Sequence, residues 1–301
     1  MGLTGVGLVL ALLLMAIVSV GAGRSGPGQG EEAPTRPPPE LPRGGRSALP
    51  EFRVIGFAGA PQAEGLGALG IGTLDSAAAR LERQARAYSQ GPGRRPILPA
   101  FELIAVIANA SPGDDGQYRT RQKDAVVQRY LAGARRARAL LLLDIQPGQA
   151  DFLDEVRGFD PVLAQPDVSV ALDPEWHMAA GEVPGQTIGS VTADEVNEVA
   201  AHLSEIVRRH RLPEKMLVVH QFTSDMIENR SQLRRYPGVD LVLNVDGVGD
   251  RELKVDKYNA FTKLGDRGRP GFKLFYEEDT NMLTPADVQR LRPEPEFVVY
   301  E

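Results

Sequence analysis

The ten residues VSVALDPEWH, Val168–His177, decide how the chain is read. A short apolar run, Val168–Leu172, reads as a strand buried on both faces. It is followed at once by Asp173, Glu175, the only tryptophan of the chain, Trp176, and His177. The same design, an apolar run closing on polar residues, recurs along the chain. The runs are Phe52–Gly59, Phe101–Ala108, Ala139–Gln146, Val168–Trp176, Met216–Thr223, Asp240–Asp246, Lys273–Asp279 and Phe297–Tyr300. Between them lie helix-compatible stretches: 74–89, 119–138, 151–164, 192–210, 224–235, 251–264 and 284–291. Thr192 and Glu195 stand at capping-box spacing, and Pro285 sits in a first turn.

Apolar strands alternating with helices indicate a parallel sheet covered on both faces. Eight of them in about 250 residues favour closure into a (β/α)8 barrel of TIM type over an open doubly wound sheet. The chain given stops at the eighth strand, and part of the preceding spacer is expected to cover the gap. The open-sheet alternative lacks a phosphate-binding glycine turn. Gly65–Gly72 (GLGALGIG) has the wrong spacing and no acidic ribose partner downstream, so it reads as a βα loop.

Upstream of residue 51 the composition changes. Residues 2–23 carry no charge and have an apolar run centred on Val9–Val18, which reads as a signal peptide or an N-terminal membrane anchor. Residues 24–50 are rich in Pro and Gly and read as a disordered, solvated linker. The expected organisation is therefore 1–23 signal or anchor, 24–50 linker and 51–301 barrel. The expected location is outside the cytoplasm, either secreted or held at the membrane through an uncleaved N-terminus. A net charge of -6 and the pI near 5.4 speak against a nucleic-acid partner. With no cysteine there is no disulfide framework, no thiolate metal site and no cysteine nucleophile. A Ser-His-Asp triad is disfavoured because no Gly-x-Ser-x-Gly elbow occurs.

In a barrel of this kind chemistry gathers at the C-terminal strand ends. Asp144 and Gln146 share a parity at the end of the third run, as do Asp173, Glu175 and His177 at the fourth. The fifth ends on His220 and Gln221, the sixth on Asn244 and Asp246, the seventh on Tyr276 and Glu277. Charged groups facing the helix layer would be desolvated and unpaired at a cost of several kcal/mol, so they are expected to meet in the barrel mouth. Asp173 and Glu175 lie roughly 6–7 Å apart at Cα if extended. Paired carboxylates of that kind suit glycoside hydrolysis, with one acid protonating the leaving oxygen. Glu175, between Pro174 and Trp176, sits where an apolar setting raises a carboxyl towards a general acid. The expectation is Glu175 as proton donor with Asp173 and Asp246 as partner carboxylates. Asp144, Gln146, Trp176, His177, His220, Gln221, Asn244, Tyr276 and Glu277 are the expected substrate contacts, the substrate being a glycan or wall polysaccharide.

The Asp173-x-Glu175-Trp176 arrangement resembles the acidic strand-four motifs of glycosidase barrels, the chitinase-like group included. That group carries further acidic residues where this chain has Ser169 and Ala171. The resemblance implies a glycoside-hydrolase-like barrel without fixing its mechanism. The strand ends LDIQPG, LDPEWHM, VVHQF and NVDGVG together also resemble a group of secreted, lipoprotein-like barrel proteins of actinobacteria, a likeness that implies no activity. No organic cofactor is expected. Two alternatives stay open: a divalent-metal hydrolase using Asp144, Asp173, Glu175, His220 and Asp246, and a non-catalytic barrel that binds a glycan or a partner. No H-x-H or H-E-x-x-H spacing supports the first, and His202 and His210 fall on a helix.

Overall fold

The computed structural model describes residues 37–90, 95–263, 265 and 267–301. The apolar segment 2–23 and most of the linker lie outside these residues. Among those described, no helix is long and apolar enough to cross a membrane.

Eight parallel strands close on themselves: β1 (Arg53–Gly59), β2 (Ile97–Ala108), β3 (Leu140–Ile145), β4 (Val168–Leu172), β5 (Lys215–Gln221), β6 (Val239–Val245), β7 (Arg269–Leu274) and β8 (Phe297–Tyr300). Each pairs with its sequence neighbour, and β8 returns to β1. This is the TIM barrel that the strand count predicts. Its helices are α1 (Leu74–Ala87), α2 (Asp124–Arg136), α3 (Phe152–Arg157), α4 (Asp160–Leu163), α5 (Ala193–His210), α6 (Arg251–Phe261) and α7 (Pro285–Val288). Helix α5 begins at the expected capping box, with Thr192 and Glu195 satisfying each other's backbone N–H groups.

Strand parity sorts the apolar residues into two cores. Residues such as Leu103, Leu143, Val170, Val219 and Leu243 face the helices. Leu98, Ala100, Leu142, Ala171, Val218 and Val299 fill the barrel interior. The interior core also contains Leu41, Ala48, Leu49 and Phe52. The expectation of a solvated linker up to residue 50 is therefore corrected: Pro38 onwards belongs to the barrel's compact unit. These four apolar side chains plug the barrel, Leu41, Leu49 and Phe52 each contributing about 1.5–3 kcal/mol by burial. Arg46 anchors the plug on the carbonyls of Arg211 and Leu212, and Asp240 accepts from the Leu49 N–H at 3.3 Å.

Several elements differ from the sequence expectation. Residues 224–235 form no α-helix, only a single 3-10 turn at Arg230–Gln232. Ile227–Glu228 instead pairs with Val191–Thr192, and Asn229 takes a left-handed conformation (φ 52°) that ends that strand ahead of the turn. The stretch 151–164 is split into α3 and α4, with Gly158 and Pro161 at the break. Arg119–Arg121 forms a short antiparallel strand on β2 before α2 starts. Strand β4 stops at Leu172, because Pro174 has no N–H to donate and opens a single turn, Pro174–Trp176. Strand β7 begins and ends earlier than expected, leaving Tyr276–Asp279 in a turn.

Candidate active site

Continuing the inward parity towards the C-terminal strand ends replaces the apolar filling with a polar layer. Two residues beyond Ala100 stands Glu102. In the same relation Asp144 follows Leu142, Asp173 follows Ala171, His220 follows Val218, Asn244 follows Val242 and Glu301 follows Val299. Lys273 joins them from β7, two residues after Gly271, where the missing Cβ makes room for Asn244. Above this layer opens a cavity of about 510 Å³. Asp144, Gln146, Asp173, Glu175, Asp246, Lys273 and Glu301 line its polar side. Leu66, Trp176, Phe222, Val248 and Phe275 form an apolar rim, with Lys257 beside them.

The floor is an ion-pair chain. His220, 1% exposed, hydrogen-bonds through Nδ1 to Asp246 Oδ2 at 2.7 Å. Its Nε2 stands 3.2 Å from Glu102 Oε1, an ion-pair distance without hydrogen-bond alignment, so both Glu102 oxygens lack an aligned donor. Asn244 packs its Nδ2 3.4 Å from the same imidazole. Lys273 Nζ lies 3.3 Å from Asp246 Oδ2 and 2.7 Å from Glu301 Oε2. Burial works against the charge on His220, but the hydrogen bond to Asp246 and the Glu102 carboxylate outweigh it and hold the imidazolium well above its usual range. Burial likewise opposes the Lys273 charge, and the Asp246 and Glu301 carboxylates more than offset it. Asp246 is the reciprocal case. Burial disfavours its charge, yet Lys273 and His220 hold it well below the usual carboxylate range.

The wall is made of acids pushed the other way. Burial, and then the neighbouring Glu175 charge, raises Asp173 to about 8. Burial and the Asp246 charge raise Glu175 to about 7. Asp144 is raised well above its ordinary value by burial and by Asp173. Gln146 donates to Asp173 Oδ2 at 3.3 Å and accepts from the Ala108 N–H at 3.2 Å, which fixes its amide. The ionised Asp246 therefore sits beside three carboxyls that hold protons near neutrality, the separation that marks acid and base roles in a site.

Of the expected residues, Glu175, Asp173, Asp246, Asp144, Gln146 and Trp176 share this cavity, and His220 and Asn244 lie beneath it. Four do not. His177 leaves the strand at the Pro174 turn and points to Ser190, whose carbonyl lies 2.8 Å from Nδ1, with its ring against Phe152. Gln221 has the parity opposite to His220 and donates to the Thr223 carbonyl instead. Tyr276 stacks on Tyr300 at 5.1 Å, reaches Gln84 and faces a separate cleft beside α1. Glu277 is exposed on the β7–α7 turn. Conversely, Glu102, Lys273 and Glu301 were not anticipated from sequence. Glu102 sits inside a strand rather than at its end, and only the parity of Leu98 and Ala100 points to it. Metal chemistry finds no convergent ligands: among the described residues no three His, Asp or Glu side chains form a group able to hold an ion.

No protein-family model matches the chain, and no curated protein matches it, so the likeness to secreted actinobacterial proteins rests on the strand-end residues alone. Among solved structures the chain is similar to a sugar phosphate isomerase/epimerase from Parabacteroides distasonis, at 11% identity and a TM-score of 0.37, over 83% of this chain and 86% of that one.

Proposed function

We propose that the chain is a glycoside-hydrolase-like barrel, acting on a glycan outside the cytoplasm by carboxylate acid/base chemistry. The observation that carries this reading is Glu175, a carboxyl held to about 7, standing beside Trp176 over an ionised Asp246 in one cavity. Glu175 protonates the glycosidic oxygen as the bond to the anomeric carbon breaks, and the carboxylate so formed then takes the proton of the water that adds to that carbon. Asp246 receives three donors, from His220, Lys273 and the Gly247 N–H at 2.5 Å. Held in place by these partners, it acts as a fixed negative charge that stabilises the developing oxocarbenium ion. Burial and the Asp246 charge keep Glu175 raised. The indole of Trp176 offers a face for a sugar ring.

The test is hydrolysis of a glycan panel by the wild type and by Glu175→Gln. General acid catalysis contributes about 10²–10⁴-fold, so the variant should lose activity on that scale while still binding. Equal turnover by both proteins removes Glu175 from this role. Binding without turnover by the wild type makes the chain a glycan-binding barrel. Export is proposed from the apolar run within residues 2–23, and the check is a fusion of residues 1–50 to a reporter active only outside the cytoplasm.

A further inference from the structure

The cavity has more acid than its own cations can balance. Five carboxylates line it (Asp144, Asp173, Glu175, Asp246 and Glu301) against two ammonium groups, Lys257 and Lys273. Lys273 is committed to Asp246 and Glu301. Among the described residues, Asp144, Asp173 and Glu175 have no cationic partner within ion-pair distance. Asp144 is 4% exposed, and its Oδ1 has no hydrogen-bond donor although the residue lines the cavity. A buried acceptor left without a donor is unfavourable, and a small shift of the Asp144 side chain towards a bound donor relieves it. The rim adds aromatic faces, which attract cations: Lys257 already lies 5.8 Å from the Phe222 ring and Lys273 5.0 Å from that of Phe275.

We propose that the cavity takes an amino sugar with a free, protonated amine, whose ammonium sits against Asp144 and Asp173. The inference rests on the glycosidase reading above and names its substrate class. An ammonium brings three donors and one compensating charge to a wall that lacks both. A neutral sugar leaves Asp144 uncompensated, and a uronate adds a further carboxylate to five. Burial favours the protonated forms of Asp144, Asp173 and Glu175 in the free protein, so the ammonium binds with displacement of protons from Asp144 and Asp173 while Glu175 keeps its own. Lys257 alone could favour an anion, so the anionic sugar belongs in the test.

The experiment is calorimetric titration of the whole chain at about pH 6, where the ligand amine is charged, with tetramers of glucosamine, N-acetylglucosamine, glucose and galacturonate. The glucosamine tetramer should bind at least ~10-fold tighter than the other three, an advantage that high salt reduces. Asp144→Asn should narrow the gap between glucosamine and glucose tetramers by roughly 10-fold. If that variant fails to fold, the charge series and its salt dependence decide on the wild type alone. Equal binding of all four, tighter binding of the uronate or no binding at all overturns the inference. Cleavage of neutral tetramers with equal efficiency overturns it while leaving the acid/base reading intact. Tight, salt-sensitive binding of the glucosamine tetramer with no cleavage does the reverse.

Discussion

Glu175 and Asp173 set the pH behaviour of the site. A general acid works only while it holds its proton, so turnover should fall as pH rises through about 7, the value to which Glu175 is raised. A profile still rising from about pH 7 to 9 would contradict this role. The same groups leave a mark on stability. A carboxyl whose folded value is raised contributes fully below its unfolded value near 4, and that contribution is lost as pH climbs through the folded value. Asp173, raised to about 8, should therefore destabilise the fold progressively between about pH 4 and 8. Asp173→Asn should raise Tm by several degrees at about pH 8 and by little at about pH 4. Thermal unfolding of both proteins across that range checks it. Lys273→Met should be costly at neutral pH, because Asp246 would keep its charge with less to balance it and Glu301 would lose its ion-pair partner; removing one partner of a buried pair costs about 3–5 kcal/mol. At this scale the sequence showed those polar residues that close a strand with the right parity. It hid Glu102, inside β2, and it misplaced His177, because the backbone turns at Pro174 and strand parity no longer applies.

At the scale of elements, the eight strands were legible from their apolar runs, with ends shifted by a few residues. The helices were less so. Residues 224–235 have a helix-compatible composition, but backbone pairing between Ile227–Glu228 and Val191–Thr192 and the left-handed Asn229 override it. The plug was hidden by composition: Pro and Gly dominate residues 38–50, yet Leu41, Ala48 and Leu49 are buried. Leu49→Ala should cost about 2–5 kcal/mol, as a core leucine does, although it lies before the first strand. A chain beginning at Glu51 should unfold at a much lower temperature than one that keeps the plug. An unchanged Tm would mean that the barrel closes its lower end without it. Gly148 marks another dependence, since its φ of 63° is left-handed and a Cβ would stand 2.2 Å from the Gln117 carbonyl oxygen. Gly148→Ala should therefore loosen the β3–α3 loop that carries Gln146 past the cavity.

For the whole molecule, closure of the sheet is what brings distant residues together. Glu102 and Glu301 stand 199 positions apart in sequence yet flank one cavity floor, because β8 returns to β1 and β1 to β2. Opposed ionisations on that floor bound stability from both sides. Asp246, held well below its ordinary value, contributes above about pH 4 and loses that contribution as pH falls through its folded value. The raised acids lose theirs as pH climbs towards 7–8. Tm should thus peak at mildly acid pH, and a steady rise towards about pH 9 would show that other groups dominate.

The placement of Trp176 has a practical consequence. With one indole in the chain, and that one on the rim of the cavity, the tryptophan emission of the protein comes from a single address. Its wavelength tracks whether water or a ligand covers that ring. Occupancy, exchange rates and the titration of neighbouring acids can then all be followed optically on the unlabelled chain.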